Sequence, residues 1–310
     1  MSKCLVVFSA TGSQGKSVIN AVLNDSQLSK QYSIRGTTRD PSKADAQELA
    51  KRGVEVVPAD ANDPESLRKA FTGADTVYAY TVSIYKGGKA KEHEINHGRA
   101  LADAAVAAKV SNYIYSTLSN AGNISGGKLK YMGHFDGKAE VEDYIRSLPI
   151  RSAFVAPGSF MQNFHQGQAP RPAGEGVWAI AGPVSPDTKL PLIDTLGDLG
   201  KWVAAILADF EAYEGEILSC ATDLYTYQEV VEIMSKVTGK NIIYKQVPGD
   251  VWKGFLPDPM RHYIYDMLVF FQDYGYFGEN TEEKVKSSAP KARGHLSTLE
   301  EYLSANPLKI

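Results

Sequence analysis

Residues 4–22 read CLVVFSATGSQGKSVINAV: a short β-favouring apolar run, a turn of small residues, then a segment with apolar positions spaced by three and four. Strand, turn and helix in that order make a dinucleotide-binding unit. In the turn Ser9-Ala10-Thr11-Gly12-Ser13-Gln14-Gly15, the glycines allow close backbone approach to a pyrophosphate and close helix–strand packing. The helix N-terminus adds free N–H groups and the positive end of its dipole. Thr11, Gly12, Gln14 and Gly15 are therefore the expected phosphate-side residues. Ser9 stands where the first glycine of the fingerprint is expected. The reading is a modified turn that still binds, with Ser9 ending strand one at negative φ and its hydroxyl bonding within the turn.

Outward from this unit, β-rich apolar runs alternate with amphipathic segments up to residue 157. Strands are expected at 4–8, 32–37, 54–58, 76–82, 112–117 and 151–156, and helices at about 13–24, 42–52, 64–72, 90–109 and 134–148. Asp63 caps the third of these helices, Pro64 takes its first position and Gly73 follows its end. The fold class is α/β: a doubly wound parallel-sheet Rossmann domain over 1–157, free to recruit later segments, and a smaller α+β domain over 158–310. After residue 157, HQGQAPRPAGEGVWAIAGPVSPDTKLP reads as loops and short strands. A helix near 198–209, a strand near 216–220, a helix near 227–238 and a strand near 241–246 follow. Residues 252–277 are dense in aromatics, from Trp252 to Phe277, and read either as helix core or as the wall of an apolar ligand pocket.

The chain has 310 residues, 43% of them apolar, enough to bury a large core. With 33 Lys and Arg against 36 Asp and Glu, the formal charge of -3 gives no global field for nucleic acid, so no direct nucleic-acid partner is expected. Cys4 and Cys220 fall in expected strands and read as buried thiols of a reducing compartment. No apolar run approaches the roughly 20 residues of a membrane span. The short N-terminal run reads as strand one rather than a secretion signal. The expected location is the cytoplasm, with nuclear access.

At the end of strand two, where NAD-binding chains usually place an acid, this sequence reads SIRGTTRDPSK. Thr37 and Thr38 hold that position, and Arg39 and Lys43 would meet a 2′-phosphate with positive charge, which favours NADP; the bland reading of the two cations is a solvated helix start. Asp60, after strand three, is placed to accept from an adenine amino group, and Asp63 is read as a cap. Thr81, near the end of strand four, and Asn163, after strand six, complete the expected cofactor set.

Several stretches resemble the NmrA-like family, an atypical branch of the short-chain dehydrogenases/reductases: ATGSQGKSV, TTRDPSKADAQELAKRGVEVVPADANDPESL, YIYSTLSN and HFDGKAEVEDYIRS, then GSFMQNF, DTLGDLGKWVAAI and YTYQEVVEIMSKVTGK. The likeness covers nearly the whole chain. It implies an NADP-binding Rossmann domain and a smaller domain closing a cleft over the nicotinamide end. It also implies either of two activities, reduction of small molecules or redox-sensing regulation through a protein partner. The superfamily's Tyr-x-x-x-Lys pair becomes His134-Phe135-Asp136-Gly137-Lys138, still one helical turn apart. Lys138 would keep the cofactor-positioning role, and His134 would donate a proton or accept a hydrogen bond. Thr117 and Ser116 end strand five, where the superfamily commonly keeps a hydroxyl near the substrate carbonyl; each reads either as that hydroxyl or as one that satisfies the strand end.

Residues 93–97, HEINH, match H-E-x-x-H, but no third ligand stands at a recognisable spacing, and the motif reads as a solvated helix face rather than a zinc site. The favoured function is an NADP(H)-dependent enzyme that reduces C=O, C=N or C=C in a small apolar substrate, a natural-product intermediate for example, held between the domains. A redox-neutral reaction beside retained NADP is its variant. The alternative is an NADP-sensing regulator that binds a transcription factor or other protein without catalysis.

Overall fold

The computed structural model describes residues 2–85, 88–258 and 260–310. Its first half runs β1 (Lys3–Val7), α1 (Ser13–Asn24), α2 (Leu28–Gln31), β2 (Tyr32–Thr38), α3 (Ala44–Lys51), β3 (Glu55–Pro58), α4 (Pro64–Phe71), β4 (Thr76–Ala79), α5 (Ala90–Ala107), β5 (Asn112–Ser116), α6 (Ala121–Ile124), α7 (Gly133–Ser147) and β6 (Arg151–Pro157). The second half continues with β7 (Ser159–Phe160), β8 (Arg171–Gly174), β9 (Val177–Gly182), β10 (Lys189–Ile193), α8 (Thr195–Ala208), α9 (Phe210–Tyr213), β11 (Ile217–Cys220), β12 (Asp223–Thr226), α10 (Tyr227–Thr238), β13 (Asn241–Gln246), α11 (Gly249–Lys253), α12 (Met260–Tyr274), α13 (Thr281–Ser288) and α14 (Leu299–Ala305).

Every expected strand and helix of the first half forms, and the strands pair in parallel in the order β11-β6-β5-β4-β1-β2-β3. Six strands were expected in this sheet; the seventh, β11, comes from the second half and pairs with β6. Strand four ends at Ala79, so Tyr80–Tyr85 leave the sheet.

Both faces are apolar because successive side chains point to opposite sides. Leu5, Val7, Tyr78, Ile114 and Val155 pack on one face with Val18 and Ile19 of α1 and Trp202 and Ile206 of α8. Val6, Val77, Tyr113, Tyr115 and Phe154 pack on the other with Phe71, Leu101, Val141 and Ile145 from α4, α5 and α7. A third cluster, with Phe164, Leu192, Val230, Trp252, Phe270 and Phe271, fills the second half around two three-stranded sheets. The core reading of the aromatic stretch thus holds for Phe270 and Phe271 on α12. Asp63 caps α4, accepting from Glu65 and Ser66 N–H at 3.1 and 3.2 Å.

The serine of the first turn departs from expectation. β1 ends at Val7, and Ser9 sits in the turn at φ +53°, in the left-handed region that favours glycine. Three bonds hold the residue in that geometry. Its N–H donates to Thr37 Oγ1 (3.1 Å), and its carbonyl accepts from Gly12 N–H (3.0 Å) and Tyr80 Oη (2.8 Å). Gly15 is needed for close approach, since a Cβ there would lie 2.5 Å from the Ser9 carbonyl oxygen and 2.8 Å from Ala10 Cα.

Helices α5 and α7 also touch through missing side chains. A Cβ on Gly98 would stand 2.5 and 2.6 Å from the two Val141 methyl carbons, so no rotation of Val141 clears it. Replacing a helical glycine by alanine gains about 1 kcal/mol of propensity. Overpacking costs about 1–3 kcal/mol, and with Val141 fully buried it wins here. Gly98→Ala should therefore lower the urea midpoint without changing the denaturant slope; a raised midpoint would show that the helices can separate freely.

Candidate functional site

The strand order reverses between β1 and β4, and a crevice opens outside their carboxyl ends, where open α/β sheets bind ligands. Four consecutive strand ends line a cleft of about 460 Å³. Ser9, Thr11 and Gly12 follow β1; Thr38, Arg39 and Lys43 follow β2; Asp60 and Asn62 follow β3; and Tyr80, Thr81, Val82 and Ile84 follow β4. His97 and Leu101 of α5 close one side.

The chemistry of this wall suits a nucleotide with several phosphates. Helix α1 starts at Gly12 with no side-chain cap and no acidic residue in its first turn, so its leading N–H groups and dipole face the cleft without an internal anion. Among the described residues, Arg39 and Lys43 make no ion pair, and both are solvent-exposed. The Asp60 carboxylate accepts from Asn62 N–H (2.8 Å) and Nδ2 (2.9 Å); those bonds, with Arg39 and His97 nearby, hold it below its usual range. It is a fixed anionic acceptor in the cleft wall.

Other expected residues lie elsewhere. Gln14 turns back into the fold, its Oε1 accepting from the buried Tyr78 hydroxyl at 2.7 Å. Gly15 acts behind the turn as a packing contact. Thr117 is buried at the end of β5 and borders a separate cavity of about 400 Å³ with Asn120, Glu142 and Lys284. Asn163 sits on the turn Met161–His165, and its carbonyl accepts from Gln166 and Gln168 N–H.

Lys138 lies directly behind the cleft. Its ammonium is buried and donates to the Thr81 carbonyl (2.8 Å), Thr81 Oγ1 (2.6 Å) and Glu94 Oε2 (2.8 Å), so all three protons are engaged. Burial pushes the lysine down from its ordinary value, opposed by Glu94. Burial alone would raise Glu94, but Lys138 and the Ser83 and Thr81 hydroxyls hold it below its ordinary range. Across the 2.8 Å contact each partner offsets part of the other's burial.

Glu94 corrects the reading of HEINH as a solvated face, for it is 1% exposed. His97 instead bonds Asn62 at 3.0 Å on the cleft side, so the motif's residues are split between two environments. A signal was present: Ala90, Glu94, Gly98, Leu101, Ala102 and Ala105 form the buried stripe of α5, and an acid within an apolar stripe requires a buried partner. Tyr80, bonded to Ser9 and covering Gly12, was not foreseen either.

His134, one turn before Lys138, is 4% exposed beneath Tyr85, Phe135 and Tyr263, with ring centroids at 5.3, 4.9 and 6.4 Å. Its Nδ1 has no hydrogen-bond partner among the described residues. Burial, helped by the Lys138 charge, pushes the imidazole down to about 4. It is therefore neutral at physiological pH, a donor through one nitrogen and an acceptor through the other.

This burial links stability to pH. The unfolded chain takes up a proton near pH 6.5 and the folded one only near 4, so stability present above 6.5 is lost as pH falls through that window. The full loss is about 3 kcal/mol. Urea unfolding of wild type should show it between those two pH values, and His134→Phe should remove that component while leaving the carboxylate-driven loss at lower pH. An unaltered profile in the variant would mean that His134 is solvated.

Among the described residues, no helix is long and apolar enough to cross a membrane. The sequence profile of the NmrA-like family matches residues 1–303. An NmrA-like family domain-containing protein of Dictyostelium discoideum is 31% identical over 100% of both chains. The NmrA-like family domain-containing oxidoreductase ptmS of Penicillium ochrochloron is 28% identical over 92% of this chain and 89% of its own. Among solved structures, NmrA, a negative transcriptional regulator in complex with NADP, superposes with a TM-score of 0.80 at 24% identity, covering 99% of this chain and 98% of that one. With the profile spanning nearly its full length, the chain belongs to the NmrA-like family.

Proposed function

We propose that this chain binds NADP(H) along the carboxyl ends of β1–β4 and reduces an apolar, aromatic small molecule. The observation that carries the reading is the charge arrangement after β2: Arg39 and Lys43 stand in the cleft wall without ion-pair partners among the described residues, and Thr38 replaces the acid that would repel a 2′-phosphate. The uncapped start of α1, with Thr11 and Gly12, suits the pyrophosphate, and Asp60 with Asn62 suits the adenine end. Thr81 and Val82 would border the nicotinamide half. Support also comes from the oxidoreductase name of the Penicillium relative and the NADP held by NmrA.

When bound, NADPH supplies a hydride. The chain's own contribution is orientation and exclusion of water. His134 is neutral and buried beneath Tyr85, Phe135 and Tyr263, so its part is to hold these rings in place behind the cleft rather than to meet the substrate. Lys138 holds the Thr81 wall. The second reading, an NADP-sensing protein that acts on a partner, is favoured by one observation: every Lys138 proton is already taken within the chain, leaving none for a reacting group.

Two measurements test these readings. Arg39→Ala and Lys43→Ala should each weaken NADPH binding by calorimetry roughly tenfold and leave NADH unchanged, as expected for a lost charge-assisted bond. Equal losses for both cofactors, or none, would remove the 2′-phosphate assignment. Wild type should oxidise NADPH in the presence of quinones or aromatic carbonyl compounds with stoichiometric reduced product. Complete inertness, combined with a large affinity difference between NADP+ and NADPH, would establish the sensor instead.

A further inference from the structure

The extended segment after β4 is held from behind in a way that the binding reading does not require. Its side chains alternate. Val82 and Ile84 face the cleft, while the Ser83 hydroxyl points inward and donates to Glu94 Oε1 at 2.6 Å. Thr81 is fixed twice, its carbonyl and its hydroxyl both accepting from Lys138 Nζ, and the hydroxyl in turn donates to Glu94 Oε2. Tyr115 Oη lies 3.3 Å from the same hydroxyl. One carboxylate thus binds two residues of the segment directly and orients the lysine that binds the first of them again.

Of this network, only Thr81 borders the cleft; Glu94, Lys138 and Ser83 stand behind it. A lysine that touched a bound ribose directly would have to exchange one of its three internal bonds for the new one.

We infer that Glu94 is a positioning residue for the nicotinamide half of the cofactor: it staples segment 81–83, directly and through Lys138, so that Thr81, Val82 and Ile84 present a preformed wall. The inference rests on the NADP(H) reading. It makes Lys138 a residue that acts through Thr81. The opposite half of the cleft, with Arg39, Lys43 and Asp60, is built on β2 and β3 and, among the described residues, shares no hydrogen bond with this network.

That separation sets the experiment. Calorimetric titrations use two probes, NADPH and adenosine 2′,5′-bisphosphate, which carries the adenine and 2′-phosphate but no nicotinamide half. Glu94→Gln should weaken NADPH about tenfold, and Ser83→Ala, which removes a single hydroxyl and keeps the buried pair intact, about threefold. Both variants should bind the bisphosphate as wild type does. Unchanged NADPH affinity in the two variants overturns the inference, as does equal weakening of both probes, the signature of a general structural defect. Ser83→Ala keeps the test decisive if Glu94→Gln fails to fold. Wild type that binds neither probe overturns the cofactor reading and the inference together, whereas wild-type binding with unaffected variants overturns the inference alone.

Discussion

A lysine and a glutamate buried side by side can be kept charged only if nearly every proton and lone pair finds a partner, and the fold around Lys138 and Glu94 is arranged to provide them. Removing one member of such a pair leaves an uncompensated buried charge, at a cost of about 3–5 kcal/mol, although the pair itself adds little net stability over apolar residues of similar size. Its consequence is geometric. Helices α5 and α7 must approach closely enough for Nζ to reach Oε2 at 2.8 Å, which explains the missing side chains along their contact. A Cβ on Gly137, the neighbour of Lys138, would lie 2.6 Å from Glu94 Cβ. With that spacing set, Thr81 and Ser83 supply the remaining hydroxyls, and the segment that leaves β4 has one place to go.

The parts of this fold that were legible in the sequence are those fixed by local rules. Apolar runs such as Leu5–Val7 and Tyr113–Tyr115 are buried on both faces and separated by amphipathic helices, which specifies a doubly wound sheet before any pairing is known. The Asp63 cap and the cations after β2 are equally local. What the sequence did not disclose depends on pairings between distant segments. β11 joins β6 across some sixty residues, and nothing in Ile217–Cys220 itself names that neighbour. Thr117 and Gln14 have the right residue type and the right chain position, yet one borders a different cavity and the other turns onto Tyr78. Side-chain direction at a strand end is set by what packs behind it.

The first turn joins a local rule to a distant pairing. A non-glycine residue in the left-handed region costs about 1–2 kcal/mol, and Ser9 at φ +53° bears that cost at the entrance to the cleft. Three hydrogen bonds hold it there, each worth about 0.5–1.5 kcal/mol net, so the conformation is over-determined. One of the three comes from Tyr80, whose burial pushes its hydroxyl up to about 12 and keeps it a donor. That hydroxyl occupies the space beside Gly12 where a Cβ would lie, so Tyr80 fills the room that the glycine leaves and braces the turn from the β4 side. The serine thus reports a turn supported by a side chain just past a neighbouring strand rather than by backbone freedom.

Tyr80 and Thr81 are consecutive residues, and through them the two braced features meet: Tyr80 ties the segment after β4 to the α1 turn, and Thr81 ties it to Glu94 and Lys138. The cleft consequently has two ends of opposite physical character. At one end Arg39 and Lys43 are exposed and unpaired among the described residues, able to attract an anion over several ångströms and to reorganise around it. At the other, a buried, internally neutralised pair presents a wall that needs no reorganisation when a ligand arrives. Affinity for a phosphorylated nucleotide would then be generated far from the braced wall. A site divided in this way would hold a phosphorylated nucleotide at one end while the geometry of the other stays independent of that grip.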